Sequence, residues 1–101
     1  MNLSTNIESS ARRLFPDKSL EDAVLALLLE RAQKNLIKYQ TITRKFHQKY
    51  NQEFEDFRKK ILSSESSSEL EQDYFDWELA ETAASDMRDE IVRLRNLNQN
   101  T

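Results

Sequence analysis

The sequence contains no glycine, no cysteine and only one proline, Pro16, among its 101 residues. Glycine most readily supplies positive φ, tight hairpin turns and phosphate-cradling loops, so its absence disfavours sheets and nucleotide-binding folds. The absence of cysteine excludes disulfides and thiolate metal sites and leaves no mark of the redox compartment. The longest apolar run, Ala23 to Leu29, spans seven residues. A membrane span needs about 20, so no transmembrane helix is expected. The opening Met1-Asn2-Leu3-Ser4-Thr5-Asn6 has no basic stretch leading into an apolar one. No signal peptide is therefore expected, and a cytoplasmic location follows by default.

What the chain does have is helical periodicity. Leu3, Ile7, Ala11, Leu14 and Phe15 recur at helical spacing until Pro16 disfavours helix at the residue before it. This predicts a short helix near 5–14. Ser19 with Asp22 three positions on forms a capping-box-like pair that opens a long helix over about 19–50. Its apolar seam runs from Leu25 and Leu29 through Ala32, Leu36, Tyr39, Thr43 and Phe46 to Tyr50 in alternating steps of four and three, the spacing of a coiled-coil contact stripe. Asn51 ends it, because asparagine tolerates the left-handed conformation that glycine would usually provide.

Phe54, Phe57 and Ile61 predict a short helix over about 52–62, and a serine-rich connector follows from Ser63 to Ser68. A second long helix is expected over about 67–96, with Leu70, Tyr74, Trp77, Ala80, Ala84, Met87, Ile91 and Leu94 as its seam. Residues 97–101 read as a polar tail. The expected fold class is all-α, a single domain built as an elongated antiparallel helical hairpin, with short extra helices at the N-terminus and in the connection.

Charge supports folding back. Between Arg31 and Lys49 there are six Lys or Arg and no acid, and between Glu65 and Glu81 seven acids and no base. An antiparallel hairpin would place the two stretches side by side and neutralise both. Surface pairs contribute only ~0.2–1 kcal/mol each, so this pattern selects orientation more than it stabilises.

The leucine-rich run poses a different problem. Residues 23–29 cover every direction around a helix axis, whereas one neighbouring helix covers one stripe. Either the N-terminal helix and the end of the last helix wrap the surplus, or it forms an interface with a second copy or a partner. A homodimer or a complex with a partner is expected on the second reading, with Val24, Leu27 and Leu28 as partner-binding residues.

Catalytic signals are weak. His47 is the sole histidine, so a general base would be this residue or a carboxylate in a shifted environment. Arg44-Lys45-Phe46-His47 superficially resembles the arginine and histidine pair of small helical ribonucleases. Those enzymes place four to six residues between the two, whereas two intervene here. Helix-borne di-metal sites need a Glu-x-x-His motif, which the sequence lacks. No catalytic residue, metal ligand or cofactor is assigned. The basic face of the first long helix could meet phosphates, but the net charge of −3 and the facing acids argue against nucleic acid. An acidic helix imitating a nucleic-acid backbone stays open.

The stretch Tyr50-Asn51-Gln52-Glu53-Phe54-Glu55-Asp56-Phe57, followed by Leu70-Glu71-Gln72-Asp73-Tyr74-Phe75-Asp76-Trp77-Glu78, resembles a group of short helical proteins of archaea and cyanobacteria. That group resembles the antitoxin-like halves of two-gene modules, each paired with a small toxin-like protein. The likeness covers roughly residues 25–95 and departs from the group's pattern at Asn51, where glycine is usual. It implies binding and neutralisation. The expected function is thus a non-enzymatic protein-binding antitoxin that acts by occlusion, and the alternative is a structural or regulatory homodimeric scaffold with no toxin partner. Phe75, Asp76 and Glu78 lie outside the seam and, with Glu71, are the expected partner contacts.

Overall fold

A computed structural model describes residues 4–63, 65 and 67–99. Four α-helices follow one another: α1 (Thr5–Leu14), α2 (Leu20–Tyr50), α3 (Phe54–Ser63) and α4 (Ser68–Gln99). The long helices α2 and α4 pack antiparallel, α3 packs on α4 at the closed end, and α1 lies against α2 near the open end. The radius of gyration is 19.5 Å and the extents are 59 × 27 × 23 Å, where a compact chain of this size would have about 13 Å. No helix among the described residues is long and apolar enough to cross a membrane.

Local chemistry sets the element ends. Ser4 Oγ accepts from the Ile7 amide at 3.2 Å and Ser19 Oγ from the Asp22 amide at 3.1 Å, each satisfying an orphan donor at a helix start. Phe15, held before Pro16, leaves the helical region at φ −133°, ψ 67°. Asn51 adopts the left-handed conformation at φ 51°, ψ 42° and ends α2. Ser67 Oγ caps α4 through the Leu70 amide at 3.2 Å. At its other end α4 extends beyond the expected stop near 96 to Gln99, because Leu97 prolongs the three-and-four spacing and no glycine or proline interrupts it.

Every seam residue expected on the two long helices is buried or half-buried. The core divides into two clusters. At the closed end, Phe46, Phe57, Tyr74 and Trp77 are joined by Ile42, Tyr50, Phe54, Ile61 and Leu70, with the Trp77 ring 5.8 Å from Phe46, 5.3 Å from Phe57 and 5.4 Å from Phe54. At the open end, Ala32, Ile91 and Leu94 gather Leu25, Leu29 and Leu36. Small residues, Ala80 and Ala84, are buried in the stretch of α4 between them.

This register corrects the expected charge zipper. With Phe46 on Trp77 and Ala32 beside Ile91, Arg31, Lys34 and Lys38 lie opposite the part of α4 beyond Glu81. The expected overlap with the 65–81 stretch is confined to the last turns of α2. There Lys49 meets Asp73 at 2.6 Å and Glu69 at 3.6 Å. Burying Trp77 and Phe57 to within 2% of full enclosure outweighs exposed ion pairs by several fold, so aromatic packing fixes the register and charge follows.

Candidate partner-binding surface

The residues expected to touch a partner fall into two places. Leu27 and Leu28 are 51% and 52% exposed, and Val24 is half-buried. All three sit on the first turns of α2 at the open end. Covering of the leucine-rich run is therefore partial: Ala23 is buried and Leu25 and Leu29 join the core, while two leucines stay half in water. Glu71, Phe75, Asp76 and Glu78 sit on the first turns of α4 at the closed end, all exposed. By the register the two groups are roughly 30 Å apart at 1.5 Å per residue. They are two surfaces, not one.

The closed-end group is built on the rim of the aromatic core. The Tyr74 hydroxyl donates to Glu78 Oε2 at 2.7 Å and Trp77 Nε1 donates to Glu81 Oε1 at 3.2 Å. Both are bonds across one helical turn, and each satisfies the polar tip of a buried aromatic. Glu78 thus has a duty inside the fold that the seam pattern did not reveal. The hydrogen bond to Glu78, with burial second, holds the Tyr74 hydroxyl above the usual tyrosine range. Asp76 accepts a bond from the Gln72 side-chain amide, 3.0 Å away on the same exposed face.

Phe75 and Leu79, one turn apart on the outer face of α4, are 58% and 70% exposed. Phe75 meets Tyr74 at 5.5 Å between ring centroids. Leu79 belongs with this surface although the sequence reading passed over it. The signal was present, since Phe75 and Leu79 form an i, i+4 apolar pair off the seam. Flanked by Glu71, Asp76 and Glu78, the pair makes a small exposed apolar centre with an acidic rim.

Elsewhere the surface offers less. His47 is on the rim, its Nε2 3.1 Å from Glu53 Oε1. A groove of about 310 Å³ between α1 and the start of α2 is lined by Glu8, Ala11, Arg12, Lys18, Ser19 and Leu20. It is shallow and mixed in charge. Among the described residues no group of three or more His, Asp or Glu side chains is placed to hold a metal ion. No protein-family model matches the chain, and comparisons with curated proteins and with solved structures find no match.

Proposed function

We propose that the chain is a non-enzymatic protein-binding module, the antitoxin of a toxin and antitoxin pair, and that it neutralises a small basic toxin-like protein by covering its active surface. The observation that carries this reading is the exposed Phe75 and Leu79 pair with its acidic rim on α4. An apolar centre supplies affinity by desolvation, and surrounding carboxylates steer a cationic partner and set its orientation. The likeness of residues 50–57 and 70–78 to antitoxin-like proteins supports the choice of partner class.

The test is growth rescue. The product of the neighbouring gene is expressed alone and then together with this chain, either unaltered or as the Phe75→Lys/Leu79→Lys double variant. Both positions are exposed, so the variant should keep its helicity, read by circular dichroism. The reading expects arrest, rescue, and loss of rescue in turn. Undiminished rescue by the variant would remove the acidic patch from the mechanism. A harmless neighbour would favour the alternative, a structural or regulatory scaffold without a toxin.

A further inference from the structure

Each long helix carries a second stripe beside its seam. On α2 it steps in fours and threes from Val24 through Leu28, Arg31, Asn35 and Lys38 to Lys49; on α4 it steps likewise from Glu69, Asp73 and Asp76 through Ala83 and Glu90 to Leu97, sharing Ala80, Met87 and Leu94 with the seam. The observed contacts place both stripes on one side of the hairpin, because Lys49, the last member of the first, meets Glu69 and Asp73, the first members of the second. Helix α3 occupies the other side, where Arg58 approaches Tyr74 and Glu53 meets His47. On the open side Leu28 and Leu97 are each 52% exposed, and Ala83 and Met87 are half-buried. A helix with two adjacent contact stripes is patterned to pack against two neighbours, as in a four-helix bundle. The hairpin provides one.

We infer that the missing neighbour is a second copy of this chain, stacked on this side with its two-fold axis parallel to the rod. Charge selects the arrangement. Every ionisable member of the α2 stripe is a base (Arg31, Lys38, Lys45, Lys49) and every ionisable member of the α4 stripe is an acid (Glu69, Asp73, Asp76, Glu90). An axis perpendicular to the rod would lay α2 on the partner's α2, base on base. The parallel axis lays α2 on the partner's α4 at equal height and puts Leu97 of one copy against Val24 and Leu28 of the other. Arg31 has no ion-pair partner within the chain among the described residues. Glu90, already held by Arg93 Nη2 at 2.6 Å, lies near the height of Arg31.

Because the chain has no cysteine, single-cysteine variants report the geometry directly. Sedimentation equilibrium of the unaltered chain is expected to give twice the mass of one copy. A mixture of Leu28→Cys and Leu97→Cys chains should oxidise to a crosslinked heterodimer, whereas Leu28→Cys alone should crosslink poorly. The exposed pair Arg31→Glu/Lys38→Glu should weaken self-association by about tenfold or more with circular dichroism unchanged, and Glu90→Lys should restore part of the loss. A monomer at the highest soluble concentration, or Leu28→Cys chains crosslinking with themselves as well as with Leu97→Cys, would overturn the inference. Neither result bears on growth rescue, which reads Phe75 and Leu79 on a different row of α4.

Discussion

At the scale of single residues, the closed end is held by a corner in which Asp73 accepts hydrogen bonds from Lys49 Nζ at 2.6 Å and from the Tyr50 hydroxyl. The Lys49 bond first, and the Tyr50 bond second, hold the Asp73 carboxyl below the usual aspartate range. Burial first, and the bond to Asp73 second, raise the Tyr50 hydroxyl above 10.0. The two shifts act at opposite ends of the pH scale. A lowered Asp73 pKa gives stability that is present above the unfolded value, about 3.9, and is lost as pH falls through the folded one. A raised Tyr50 pKa gives stability that is present below the unfolded value, about 10, and is lost as pH rises toward the folded one. Asp73→Asn should therefore be less stable than the unaltered chain near neutrality and lose less stability on acidification below about pH 4. Urea titrations from pH 2 to 7, roughly the range in which aspartate titrates, check this; parallel curves would refute the role of the corner.

This corner also marks where residue-level reading from sequence stops. Asn51 could be assigned its left-handed conformation because a long periodic segment ends there without glycine. Glu78 could not be assigned its bond to Tyr74. Its i+4 position permits that bond, but whether a tyrosine tip faces its own helix or a partner depends on α3, which brings Arg58 and Phe54 against Tyr74.

At the scale of elements, the helices were legible because their signals are local: N-cap serine, three-and-four spacing, a lone proline, an asparagine stop. The expected bounds 5–14 and 52–62 compare with Thr5–Leu14 and Phe54–Ser63. The register of α2 on α4 was not legible. Charge counts suggested a match of 31–49 with 65–81, yet the decision belonged to ring packing at Trp77, a non-local contact whose partners arrive from two other helices, α2 and α3. Caps offer a test at this scale. Ser19→Ala and Ser67→Ala should each lower stability by about 1 kcal/mol, since each leaves an orphan amide without its side-chain acceptor. Denaturant midpoints read the loss. A neutral Ser19→Ala would mean that the start of α2 is fixed by packing at Ala23 instead.

At the scale of the whole molecule, the rod separates its tasks along its length and around its axis. The aromatic cluster clamps the closed end, the leucine-rich turns of α2 and Leu97 form the open end, and the outer face of α4 presents Phe75 and Leu79 in a ring of carboxylates. A chain of 101 residues that spreads over 59 Å keeps too little interior to enclose all its apolar residues, so exposed hydrophobic surface is a consequence of shape. Sequence periodicity foretold that surplus, but not its division into two remote patches, which follows from the register.

The measurement that addresses the binding account most directly is a calorimetric titration of the neighbouring gene's purified product into this chain and into Phe75→Lys/Leu79→Lys. Losing two anchors from the centre of an interface should raise Kd by about a hundredfold or more, with the thermal melt of the free chain unchanged. Equal affinity of the two chains would contradict the assignment of the α4 outer face as the binding surface.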